Sequence, residues 1–155
     1  MPLDSGALRI IGSLQESLAA AGVPTVLGGS ALLASLGLTT QVRDWDLVTD
    51  ADAAIARNAL ERLGHAYARR PPTEVYRSAA ALTFKVQGLE VDLLVQFAIR
   101  TSQGTVAIPA RPGATWHGLT MARREDWARA YALMGRQEKA VALAGAGHGA
   151  KGRGD

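Results

Sequence analysis

Residues 26–38 read VLGGSALLASLGL, and residues 43–50 read RDWDLVTD. The first stretch predicts a short apolar strand over 24–27, a Gly28-Gly29-Ser30 turn, and a short helix over 31–36 that stops at Gly37. The second stretch alternates. Asp44, Asp46 and Val48 fall on one face and Trp45, Leu47 and Thr49 on the other, which predicts a strand over 43–49.

Each stretch carries chemistry. Paired glycines let backbone N–H groups approach an anion closely, a helix N-terminus adds partial positive charge, and Ser30 adds a hydroxyl. Gly28, Gly29 and Ser30 therefore read as a phosphate cradle or as a purely structural strand-to-helix turn. Aspartates at i and i+2 of a strand project side by side, and such carboxylates raise one another's pKa unless a cation sits between them. Asp44 and Asp46 thus read as ligands for Mg²⁺ or Mn²⁺, or as a solvated strand edge. Arg43 beside them suits a phosphate or a counter-charge to the acids.

A third acid sits downstream. Residues 80–86 and 89–97 predict an antiparallel hairpin joined through Gln87-Gly88. Val91, Leu93, Val95 and Phe97 face one way, and Glu90, Asp92 and Gln96 the other. An acid in the middle of an apolar strand needs water or a cation on its face. Asp92 is either solvated with its neighbours or a third ligand for the same metal.

The remaining segments predict helices. Residues 4–21 form an amphipathic helix capped by Asp4 or Ser5, with Ile11, Leu14, Leu18 and Ala21 on its apolar stripe. Asp50 caps a helix over 51–63 with Ile55, Leu60 and Leu63 inward. Pro71-Pro72 marks a loop. Residues 98–118 read as irregular, with one short strand over 105–108. A helix over 125–134 has acids in its first turn, as the helix dipole favours, and another runs from 137 to about 144. The expected organisation is one α/β domain over 1–122, C-terminal helices over 123–144 packed on it, and a disordered Gly-rich tail over 145–155.

Composition excludes several classes. The chain has 155 residues, 48% hydrophobic and 20% charged, which suits one folded domain. It has no cysteine, so a disulfide scaffold, a cysteine zinc site and a thiol nucleophile are excluded. His65, His117 and His148 show no ligand spacing, and no G-x-S-x-G accompanies them. The uncharged run 17–42 is too punctuated by Gly, Pro, Ser and Thr for a spanning helix, so no membrane partner is expected. No basic segment precedes an apolar one at the start, so a cytoplasmic location is expected. The net charge of +3 tolerates a polyanion without establishing nucleic-acid binding. Arg77 and Lys85 read as solvated or as triphosphate contacts, and Trp45, Trp127 and Tyr131 as core. The tail run GAGHGAKGRGD lacks the order of a phosphate loop.

The order of the motifs is more specific than any one of them. A Gly-Gly-Ser turn, thirteen residues, D-x-D on a strand, and then GLEVDLLVQF at 88–97 resembles the nucleotidyltransferase superfamily typified by DNA polymerase β. The resemblance covers residues 23–97. It implies an α/β fold, a small mixed sheet with helices on one face and the aspartates on the other. It also implies that Gly29 and Ser30 touch the phosphates of a nucleoside triphosphate, and that Asp44, Asp46 and Asp92 hold two Mg²⁺ or Mn²⁺ ions. The activity implied is transfer of a nucleoside monophosphate from an NTP to an acceptor hydroxyl on a small molecule, protein or RNA. Residues 121–143, MARREDWARAYALMGRQEKAVAL, look like the helical end of small bacterial members, including the AbiE-type toxin group. That group places a lysine where this chain has Tyr131. The competing expectation is a non-catalytic, antitoxin-like module that uses the same fold to bind a protein partner.

Overall fold

A computed structural model describes the backbone of residues 4–154 and the side chains of residues 4–145. The chain begins with α1 (Ser5–Ala20), where the Asp4 carboxylate accepts from the Gly6 amide at 2.8 Å. Ala7, Ile11, Leu14, Gln15 and Leu18 form its buried stripe. Then come β1 (Val26–Gly28), α2 (Gly29–Ser35) and β2 (Trp45–Thr49). Next are α3 (Ala53–Arg62), β3 (Tyr67–Arg69) and the hairpin β4 (Ala80–Val86) and β5 (Leu89–Val95). The chain continues through β6 (Ala98–Thr101), β7 (Gly104–Ala107), β8 (Pro112–Trp116) and β9 (Leu119–Ala122). It ends in α4 (Arg124–Leu133) and α5 (Gln137–Gly154).

Seven strands form one mixed sheet in the order β3-β4-β5-β2-β1-β9-β8, while β6 and β7 form a separate ribbon. β2 runs parallel to β5 and antiparallel to β1. Register across the four central strands generates alternating rows. Leu27, Leu47, Leu93 and Leu82 are cross-strand partners in turn, and all are fully buried. One residue along each strand, the next row reads Gly28, Asp46, Asp92 and Thr83. Because side chains alternate between faces, the leucine row fills one face and the polar row sits on the other. α1 packs on β9, α2 on β1 and β2, and α4 pairs with α5. The mixed α/β fold expected from the sequence is the fold observed.

Several local expectations are corrected. Asp52, not Asp50, caps α3 by accepting from the Ala54 amide at 3.0 Å. The Asp50 carboxylate instead accepts from the Ala110 amide at 3.0 Å, tying β2 to a distant loop. Ile55 and Leu63 are exposed, and α3 buries Ala56, Ala59 and Leu60. The core-facing stripe of the helix is therefore Ala56, Ala59 and Leu60, with Ile55 and Leu63 on the solvent side. Residues 98–118 hold three strands and lead into β9. Strand β2 starts at Trp45, which leaves Asp44 just ahead of it. β3, absent from the sequence reading, pairs with β4. The expectation of a disordered tail falls largely on residues 146–155, whose side chains lie outside the described residues.

Buried Gln15 joins α1 to the sheet. Its Nε2 donates to the Thr120 carbonyl at 3.0 Å, and its Oε1 accepts from the Thr120 amide at 3.0 Å. Buried Asp126, in the first turn of α4, accepts from Arg111 Nε at 3.1 Å and also from Arg111 Nη2. These two contacts fix the elements that flank the polar row.

Candidate functional site

Asp44, Asp46 and Asp92 line one cavity of about 330 Å³. Asp46 and Asp92 are register partners on parallel strands, so their side chains leave the same face roughly 4.8 Å apart at the backbone. Asp44 reaches the cavity from the loop before β2 and is exposed.

The three acids live in different surroundings. Asp92 Oδ1 accepts from Thr83 Oγ1 at 2.6 Å, and its Oδ2 pairs with Arg70 Nη1 at 3.2 Å. The Arg70 amide donates to the Ala81 carbonyl at 2.8 Å, which fixes its backbone beside β4. Among the described residues, the Asp46 carboxylate has no hydrogen-bond partner. Burial, then the charges of Asp92 and Asp44, push its pKa from 3.8 up to about 7, against a smaller opposing effect of Arg70.

The Gly-Gly-Ser turn adjoins this cavity without lining it; neither Gly28, Gly29, Ser30 nor Arg43 is on its wall. Gly28 lies under the Trp127 indole, where an added Cβ would fall 2.1 Å from a ring carbon. Gly29 has φ +62°, and a Cβ there would meet Asp46 Oδ2 at 2.3 Å. Ser30 Oγ accepts from the Arg43 amide at 2.9 Å and the Asp44 amide at 3.4 Å, and lies 3.3 Å from the Asp44 carbonyl as a donor. The serine therefore holds the segment that carries Asp44. The glycines permit two close approaches that any side chain would block.

The wall opposite the sheet is aromatic. Trp127 stacks on Phe97 with ring centres 5.2 Å apart and meets Tyr131 edge-on at 5.5 Å. Both are buried, as expected for core residues, yet both also line the cavity, with Tyr76 and Met134 beside them. Burial first, and the Asp46 charge second, push the Tyr131 phenol up to about 12. Arg69, Arg70 and Arg136 stand around the cavity. Arg136 belongs to the Gly135-Arg136 step of the run 121–143 that resembles the small bacterial members, whereas Arg69 and Arg70 carry no local signal in the sequence. Arg77 and Lys85 are exposed and do not line the cavity. His65 packs against Phe84 with ring centres 5.4 Å apart.

Among the described residues, no three His, Cys, Asp or Glu side chains are already gathered tightly enough to hold a metal ion. The donor set still has the right chemistry: three carboxylates open to one cavity, and one of them half-buried without a partner. The Arg70 guanidinium currently supplies the positive charge at Asp92. No helix among the described residues is long and apolar enough to cross a membrane.

No family model matches the chain. No curated protein matches it either. Among solved structures, it is similar to a protein from Thermotoga maritima that is provisionally described as a nucleotidyltransferase. The two share 22% identity, with a TM-score of 0.65 over 91% of this chain and 92% of that one. At that identity the likeness is one of fold: the two chains share the mixed sheet and its flanking helices.

Proposed function

We propose that the chain is a metal-dependent nucleotidyltransferase that moves an NMP group from an NTP to an acceptor hydroxyl. The observation that carries this reading is the juxtaposition of Asp46 and Asp92 in one sheet row, with Asp44 on the same cavity. A half-buried, unpartnered carboxylate between two others is unfavourable in isolation and favours a hard cation. In this reading Asp44, Asp46 and Asp92 hold Mg²⁺ or Mn²⁺. Bound there, the metal would supply charge neutralisation at the phosphates and lower the pKa of the acceptor hydroxyl.

The chain's own residues do the rest. Asp92 Oδ2 takes the acceptor's proton once Arg70 has withdrawn from it, while Thr83 keeps Oδ1 in place. The acceptor oxygen forms a bond to the α-phosphorus, the bond from that phosphorus to the bridging oxygen breaks, and pyrophosphate leaves with the electron pair. Gly28 and Gly29 allow Trp127 and Asp46 to close on the turn, and Ser30 holds Arg43 and Asp44 beside the phosphates. The aromatic wall excludes water. The resemblance of residues 121–143 to the AbiE-type group extends this reading to a small bacterial enzyme of the toxin-antitoxin kind.

The test is incubation of the chain with each α-labelled NTP, Mg²⁺ or Mn²⁺, and a cell extract. Wild type should label a product and Asp46→Asn should not. If wild type labels nothing, or the variant labels equally well, the reading is withdrawn. The ion pair between Arg70 and Asp92 favours a second reading, a partner-binding module whose acidic site is neutralised internally. A stable complex on co-purification, together with absence of transfer, would support that alternative.

A further inference from the structure

A second concavity lies apart from the carboxylates. It is a groove of about 320 Å³ between α2, the β8–β9 hairpin and the start of α4, and it shares no lining residue with the acidic cavity. Leu32 of α2, Leu36 at the C-terminal cap of that helix, Trp116 of β8 and Met121 of β9 form its apolar lining. Leu36 is 38% exposed, and Leu38, just beyond it in the chain, is 40% exposed. Large apolar side chains left in water beside a groove mark a surface on which something else packs.

The charged part of the lining is basic on balance: Arg123 and Arg124 against Glu125. Arg123 Nε donates to the Pro112 carbonyl at 3.2 Å, which holds that guanidinium against β8. Arg124 has no ion-pair partner among the described residues, although it opens α4, where a cation opposes the helix dipole. Asp126, two residues on, is taken up by Arg111. Arg124 therefore works against stability and is not compensated by an acid of its own chain. β8 pairs with β9 alone and forms the outer edge of the sheet. Pro112 and the irregular register between Pro112 and Thr115 blunt that edge, so a second copy of the chain cannot add a long regular strand to it. Recognition falls instead to side chains seated in the groove.

We propose that this groove docks an apolar segment of a protein partner that carries a carboxylate. The apolar side chains seat on Leu32, Leu36, Trp116 and Met121, and the carboxylate pairs with Arg124. Charge complementarity fixes the sign: an acidic segment relieves Arg124, whereas a basic one would meet two guanidinium groups. The surface does not depend on the nucleotidyl-transfer reading, yet it is built on the same helices. α4 presents Arg124 to the groove and Trp127 and Tyr131 to the acidic cavity. α2 starts at Gly29, against Asp46, and its C-terminal cap Leu36 lies in the groove. A partner seated there touches both helices.

The test selects short random peptides, displayed on phage, on the immobilised full chain, then titrates the synthesised survivors by fluorescence anisotropy. Survivors should carry Asp or Glu beside large apolar residues. Arg124→Glu should weaken their binding by at least about tenfold, and selection repeated on that variant should enrich Lys or Arg in place of the acid. Leu36→Asp should weaken binding comparably. Arg9→Glu, a charge reversal on the exposed side of α1, should bind as wild type does. The proposal is overturned by a selection that yields no binder, by survivors without an acid, or by unchanged affinity in Arg124→Glu. An equal loss in Arg9→Glu, which would report net charge alone, overturns it as well. A wild-type dimer that Leu36→Asp dissolves would give the groove to a second copy and have the same effect. If Leu36→Asp fails to fold, Arg124→Glu decides alone. Asp46→Asn should keep the full peptide affinity. Peptide binding without transfer activity would sink the enzymatic reading and leave the groove standing, and transfer activity without peptide binding would do the reverse.

Discussion

Asp46 and Asp92 are neighbours on parallel strands, yet they are held in opposite ways. Asp92 has a hydroxyl on one oxygen and a guanidinium on the other, while Asp46 has neither. The same row of the sheet therefore contains one satisfied carboxylate and one that resists ionising.

Asp46 should make the metal-free protein less stable as pH rises. Its pKa is raised from 3.8 to about 7 in the folded state. Between those values the folded state holds a proton that the unfolded state has lost, so stability falls across that interval and levels off above it. In EDTA, the melting temperature of wild type should decline from pH 4 to pH 7 more steeply than that of Asp46→Asn. At pH 8 the variant should be the more stable of the two. Parallel profiles would show that Asp46 ionises normally.

If Asp92 holds a divalent cation as proposed, Arg70 competes with that cation for it. Replacing Arg70 with Gln removes a positive charge 3.2 Å from Oδ2. Nucleotide-free Mn²⁺ binding, followed by electron paramagnetic resonance, should tighten several-fold in Arg70→Gln. Weaker or unchanged binding would mean that the guanidinium does not stand in the metal's way.

Gly28→Ala should be destabilising. Its Cβ would fall 2.1 Å from the Trp127 ring, which is itself stacked on Phe97 and cannot simply swing aside. Overpacking of this kind costs about 1–3 kcal/mol. Urea denaturation should show a lower midpoint, and the paired variant Gly28→Ala/Trp127→Leu should recover part of the loss.

Gln15→Leu should also destabilise, by a different route. The change keeps apolar bulk but leaves the Thr120 amide and carbonyl without their partner. Leaving a buried polar group unsatisfied costs about 1–3 kcal/mol. Thermal unfolding checks this, and amide exchange at Thr120 should accelerate specifically.

The central strands were legible because their side chains obey a simple alternation. Leu82 and Phe84 on β4, and Val91, Leu93 and Val95 on β5, are all buried as the period-two pattern requires. That pattern also put Asp92 on the face away from the leucines. The hairpin of β8 and β9 was not legible. β8 is exposed along most of its length, contains Pro112 and Gly113, and lies at the sheet edge, where proline is tolerated. The caps of α3 were ambiguous because Asp50 and Asp52 are both good N-caps, and the distant Ala110 amide decided between them. Arg69 and Arg70 were invisible for a related reason. Their meaning lies in what stands opposite them, and those partners come from segments far away in the chain.

Sheet order has a consequence for the chain as it is made. β5 slots between β4 and β2, although β2 is synthesised well before it. Until the β4–β5 hairpin arrives, the β2 edge WDLVT is open, and Asp46 provides its sole charge. A solvated aspartate in that nascent strand has ordinary acidity and repels a second copy of itself, so the residue that is awkward in the finished sheet acts beforehand as a guard against self-association. Refolding of Asp46→Asn at high protein concentration should accordingly give more aggregate than wild type, even where the folded variant is the more stable. The acid that burdens the native state is thus an advantage to the chain on its way there.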